Sequence, residues 1–189
     1  MSAGKTTTGR LIIRALKQAG LVVAGAKFTG AGRFRDVLSF QDAGADMIVD
    51  FVDAGLPSTV VPRPEFDAAM THMLSVLAHG GADIVVAEAG ASPLEPYNGD
   101  AAVAALGDNV RCTVLCASDP YAVVGVQKAF GVAPDLVTGP TANTDAGVEL
   151  VRKLTGLEAV NLLRADAHAA LVRVLERCLS KRLTAVDAS

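Results

Sequence analysis

The residues best equipped for chemistry stand at the start of the chain, in Ala3-Gly4-Lys5-Thr6-Thr7-Thr8. Gly4, Lys5 and Thr6 fill the last three positions of the pattern G-x-x-x-x-G-K-[ST]. In that pattern backbone amides of a glycine-rich turn cradle phosphates, the lysine reaches the outer phosphates, and the hydroxyl holds Mg²⁺. On this reading Ala3, Gly4, Lys5, Thr6 and Thr7 bind the phosphates of a nucleotide, with Lys5 also stabilising charge in any transfer and Thr6 on the metal. Thr7 would reach an inner phosphate or support the helix start. The first glycine of the pattern, and the apolar strand that leads into it, would fall before Met1. The competing reading is a polar N-terminus that caps a helix, since Gly-Lys-Thr also occurs by chance. Context favours the loop: Leu11, Ile12, Ala15 and Leu16 follow at helical spacing, and then come Gly20 and an apolar run.

Two carboxylates and one lysine come next. Glu88 ends the apolar stretch Ile84-Val85-Val86-Ala87 and precedes Ala89-Gly90, so it should emerge at the ligand edge of a sheet. Mg²⁺ on a nucleotide takes one or two carboxylates beside phosphate oxygens and water. The plainer alternative is a solvated strand end. Asp42 is a second metal candidate, placed after the second strand of the expected fold; it reads equally well as a charge favoured by a helix N-terminus. Lys27 ends the run Leu21–Ala26, where a desolvated ammonium calls for an anion, here a small anionic substrate or a phosphate. Arg33 and Arg35 read as solvated loop residues, and Asp119 as the cap of a helix opening at Pro120.

These residues need positioning elements, and the chain supplies an alternation. Helices are expected over 5–19, 36–45, 68–79 (with Pro64 at the start), 100–106, 120–130, 144–154 and 166–183. Strands are expected over 21–27, 47–53, 82–90, 110–117, 134–139 and 159–163, and residues 184–189 are expected to fray. Strands alternating with helices imply βαβ units. The expected fold is α/β: one domain over residues 1–189, a mostly parallel sheet with helices on both faces, of P-loop NTPase type with its first strand missing. Ligands of such sheets sit beyond the carboxyl ends of the strands, which singles out Lys27, Glu88, Ser118, Asp119 and Thr138.

Composition sets the boundaries. The 189 residues are 51% hydrophobic and only 4% aromatic, so the core must be built from Ala, Val, Leu and Ile, as helix–sheet layers are. A net charge of −3 offers no footprint for nucleic acid. No apolar run approaches the ~20 residues of a membrane span, and Met1–Arg10 lacks the apolar segment of a signal peptide. A soluble, cytoplasmic protein is expected. Cys112, Cys116 and Cys178 read as small buried hydrophobes rather than a metal cluster, with Cys112 and Cys116 on one face of a strand.

The set of Ser2-Ala3-Gly4-Lys5-Thr6-Thr7, Ala26-Lys27, Gln41-Asp42-Ala43 and Ile84-Val85-Val86-Ala87-Glu88-Ala89-Gly90-Ala91 resembles dethiobiotin synthetase and its relatives among the deviant P-loop ATPases. The resemblance covers about the first 120 residues. It implies Lys5 on ATP phosphates, Thr6, Asp42 and Glu88 on Mg²⁺, and Lys27 on the carbamate of the substrate. It also implies a homodimer. Thr138 and Asn143 fall near the place where relatives carry an adenine-reading Asn, although the chain has Val137-Thr138-Gly139-Pro140 there. Glu88 is followed by Ala89 where the family has Gly, and Ser92–Tyr97 differs from the family loop. The chain is also similar to the P-loop domain fused behind another domain in D-glutamate N-acetyltransferase-like proteins. The activity implied is ATP- and Mg²⁺-dependent phosphoryl transfer to a small carboxylate or carbamate, as in a ligase or cyclo-ligase. A non-catalytic nucleotide-binding domain and an inactive fragment are the alternatives.

Overall fold

The computed structural model describes residues 3–90, 92 and 95–184. Ser2, Ala91, Pro93, Leu94 and residues 185–189, on which parts of the loop and tail expectations fell, lie outside the described residues. The chain is α/β with parallel strands, in the order α1 Lys5–Gln18, β1 Val23–Thr29, α2 Phe34–Asp42, β2 Met47–Asp50, α3 Arg63–His79, β3 Ile84–Ala89, α4 Gly99–Leu106, β4 Val114–Cys116, α5 Pro120–Phe130, β5 Leu136–Thr138, α6 Asp145–Thr155 and α7 Ala167–Leu179. Where one sheet was expected, the described strands form two, ordered β2-β1-β3 and β4-β5. The chain divides accordingly into two compact units, Met1–Thr8 with Val110–Leu183 and Gly9–Asn109 with Thr184–Ser189. They are called the first and second unit below. No helix among the described residues is long and apolar enough to cross a membrane.

In the second unit β1 is the central strand, and all seven of its residues are buried. A strand covered on both faces reads as a continuous apolar run, which is why Leu21–Ala26 shows no alternation. Ala24, Ala26 and Phe28 face a core with Val49, Phe51, Phe66, Met70 and Met73. Gly25, one residue out of phase, faces the other side against Phe40 of α2. A Cβ on Gly25 would stand 2.8 Å from the Phe40 Cβ, and one on Gly9 would stand 2.7 Å from the edge of the same ring. The phenyl ring therefore occupies the space that two missing side chains leave on α1 and β1. Helix α3 opens with Pro in its first turn, and Gly81 follows its end in the left-handed region at φ +71°.

In the first unit β4 and β5 pair in parallel, with Val114 opposite Leu136 and Cys116 opposite Thr138. Ala117, Val123, Val137, Val151 and Ala159 make its core. The caps follow the expected chemistry: Asp119 accepts from Ala122 N at 3.0 Å, and Thr144 accepts from Gly147 N at 3.1 Å.

Three strand expectations fail at their ends. The chain turns after Asp50, because Asp50 N donates to the Asp53 carboxylate at 2.9 Å and Asp53 N to Asp50 O at 2.9 Å. Strand β4 is three residues long, so Cys112 precedes it. The strand expected over 159–163 reduces to a parallel bridge between Val137 and Ala159. Asn161 bends the chain there by accepting from Leu163 N at 3.1 Å, and Leu163 turns outward, 69% exposed.

Candidate functional site

The sequence-predicted residues fall into two sets, one in each unit. In the first unit Gly4 adopts φ +85°, and Lys5 is the first residue of α1. Thr8 N closes the first helical turn on Gly4 O at 2.9 Å. The leading amides of a helix have no acceptor within it, and they form the positive end of its dipole. The first turn of α1 contains no acidic residue; instead it begins with Lys5. Two positive features thus coincide where an anion is the natural counterpart.

This segment is seated in its unit by close backbone approach. Gly4 Cα faces Gly139, and Gly139 itself adopts φ +90°. A Cβ on Gly139 would collide with the carbonyl oxygen of Ala3 and would lie 3.0 Å from that of Ala117. Buried Thr8 accepts a hydrogen bond from the Cys116 thiol at 3.4 Å. Gly139 is thus a positional requirement that motif reading passed over; the signal was its place at the carboxyl end of β5, followed by Pro140. Thr138 is only 2% exposed, so its side chain is enclosed within the fold. Asn143 is exposed, and its carbonyl is held by the Asn161 amide at 3.0 Å.

In the second unit the register places Lys27 between Asp50 of β2 and Glu88 of β3, all at the carboxyl edge of the sheet. Lys27 is 3% exposed, and its charge is already met from within. Its Nζ donates to Asp36 Oδ2 at 2.7 Å and to Ala31 O at 3.1 Å, and it lies 5.8 Å from the centre of the Phe51 ring. The counter-anion that the sequence assigned to a substrate is the Asp36 carboxylate. Asp50, 1% exposed, makes no hydrogen bond of good geometry through either carboxylate oxygen. Burial raises its pKa above the ordinary value, against the opposing pull of Lys27 and the Val52 and Phe51 amides. Asp50 was passed over because the strand was expected to run on to residue 53, which hid Asp50 as the polar end of β2.

Asp42 is not with Glu88. It is the exposed last residue of α2, which returns the chain to the amino edge of the sheet. There Asp46 N bonds Val23 O at 2.8 Å, while Glu88 lies opposite Lys27 at the other edge. A strand as long as β1 separates these edges by about 20 Å. Shared coordination of one ion is excluded, and so is the helix N-terminal reading, because Asp42 sits at the unfavourable negative end of its helix.

No family profile, no curated protein and no solved structure matches the chain.

Proposed function

We propose that the chain binds the triphosphate of ATP at the start of α1 and transfers its γ-phosphoryl group to a small carboxylate or carbamate in a Mg²⁺-dependent reaction. In this reading it is a P-loop protein of the dethiobiotin synthetase-like group. The observation that carries the reading is Lys5 at the positive end of α1, in a first turn without acid and behind a left-handed Gly4. An ammonium there is opposed by the helix dipole, and a polyphosphate relieves both charges at once.

The residues take these roles. Lys5 and the amides from Ala3 to Thr7 hold phosphate oxygens and offset the charge that builds on the transferring group. The Thr6 hydroxyl belongs on Mg²⁺. Asp42 takes no part. Lys27, committed to Asp36, is given no role in the transfer step.

Lys5→Ala should weaken ATP binding by about 2 kcal/mol, some 30-fold, with the unfolding midpoint unchanged. Calorimetric titration with Mg-ATP measures this, and equal affinity in both proteins overturns the proposal. The internal pairing of Lys27 favours a second reading, in which nucleotide is bound without transfer. ADP release across a panel of small carboxylic acids separates the two: stimulation by one acid supports the transferase, and binding without it supports the accessory domain.

A further inference from the structure

The three cysteines do not behave alike. Cys116 donates to Thr8, whereas Cys112, just ahead of β4, and Cys178, near the end of α7, converge on Asp135, the residue before β5. One ligand atom from each of Cys112, Asp135 and Cys178 lies within 4.8 Å of the other two, and all three residues are partly buried. The carboxylate is oriented before any ligand arrives, because Thr113 N holds its Oδ2.

 

Asp135 is held on both sides: Thr113 N donates to its Oδ2 at 2.8 Å, its own N donates to Thr113 O at 2.8 Å, and Arg177 donates to its carbonyl at 3.2 Å. Arg177 is fixed in turn by Glu158 at 3.0 Å. Outer partners of this kind fix the direction of a ligating group and are a regular part of metal sites.

We propose that Cys112, Asp135 and Cys178 bind one zinc ion at the amino edge of the β4–β5 pair, with the fourth tetrahedral position left to water or an added ligand. Two sulfurs and one carboxylate oxygen select zinc over Mg²⁺ or Ca²⁺, which prefer oxygen throughout. Zinc takes sulfur at about 2.3 Å and oxygen at about 2.0–2.2 Å, so tetrahedral sulfurs stand about 3.8 Å apart. The present spacing therefore closes around an ion by about 1 Å or less. Binding forms two Zn–S bonds and one Zn–O bond, and the two thiol protons leave to solvent. Two thiolates, a carboxylate and Zn²⁺ sum to a single negative charge, and the Arg177 guanidinium, bonded to the Asp135 carbonyl at 3.2 Å, stands beside the site to offset it. The site joins α7 to the leading ends of β4 and β5 within the first unit. It does not depend on the nucleotide reading.

The test is anaerobic titration of the full reduced chain with Co²⁺, followed by displacement with Zn²⁺. The expected result is one ion per chain, thiolate-to-cobalt charge-transfer absorption and the visible bands of a tetrahedral site. Cys112→Ser and Cys178→Ser should each lose the charge-transfer intensity of one thiolate and at least 100-fold in affinity. Asp135→Asn should bind 10–100-fold more weakly, and Cys116→Ser should match the wild type. Because a variant could fail to fold, X-ray absorption of the zinc-loaded wild type gives an independent reading, with two sulfur and two lighter ligands expected. No cobalt spectrum from the reduced wild type, affinity indifferent to Asp135→Asn, or a shell lacking two sulfurs overturns the proposal.

Discussion

The amino and carboxyl edges of the two small sheets are built on different principles. At the amino edges one device recurs: an aspartate immediately before a strand accepts the amide of the neighbouring strand. Asp46 before β2 takes Val23 N at 2.7 Å, Asp83 before β3 takes Val22 N at 2.8 Å, and Asp135 before β5 takes Thr113 N at 2.8 Å. The carboxyl edges have no such repeat among the described residues. Each rests on particular residues: Gly139 in the first unit, and Lys27, Asp36 and Asp50 in the second. Repeated local hydrogen bonds tie the strands together, while the singular features are where ligands of parallel sheets are expected. Asp135 differs in having two thiols within 4.8 Å of its carboxylate, whereas Asp46 also meets Lys17 at 2.7 Å.

The comparison breaks hardest at Gly139. Gly139→Ala should cost about 3 kcal/mol, from strain at φ +90° and collision with the Ala3 and Ala117 carbonyls, seen as a lower urea midpoint. Gly131→Ala, at φ +63° with open space around it, should cost only about 1 kcal/mol. Equal losses would mean that the close approach at Gly139 contributes nothing.

Next comes Asp36→Ala, which leaves the Lys27 ammonium buried on its Asp36 side. Asp36 is 27% exposed, so the loss is reduced from that of a fully buried pair to about 2 kcal/mol. An unchanged midpoint would show that Lys27 finds its counter-charge elsewhere.

The smallest effect is the most diagnostic, because the two edges should respond to pH with opposite signs. Asp50 has a folded pKa above its unfolded value, so the folded state binds the extra proton. Its contribution to stability falls as pH rises from about 4 through the folded value. Asp50→Asn should remove that decline and match or exceed the wild type at neutral pH by up to about 1 kcal/mol. Asp46 has a folded pKa below its ordinary value, chiefly through the Lys17 hydrogen bond and then the Val23 amide. Its contribution is present above the unfolded value and is lost as pH falls through the folded one, so Asp46→Asn should flatten the acid limb. Unfolding curves recorded across pH for both variants decide the signs.

The fold was legible where local chemistry dominates. The helix of Lys5–Gln18, the buried strand before Lys27, the Pro120 helix with its Asp119 cap and the glycine stops all follow from periodicity and capping. Strand ends were less legible: pairing decides them, and a side chain such as Asn161 or Asp53 can end a strand by competing for its amides. Lys27 was read as needing an anion, which is right physically, but the identity of that anion depends on where α2 carries Asp36. Asp42 failed for the same reason, since a residue's edge depends on helix length and direction. Cys112 and Cys178 could not be joined by spacing, because α7 alone brings them together.

Phe40 has a consequence for how this chain can diverge. Its ring fills volume vacated on both α1 and β1, so positions 9, 25 and 40 share one steric allowance. Enlarging either glycine is tolerable only alongside a smaller residue at 40, and shrinking Phe40 alone opens a hole. Sequences that keep this packing should therefore change the three together, leaving a covarying triplet as its evolutionary signature.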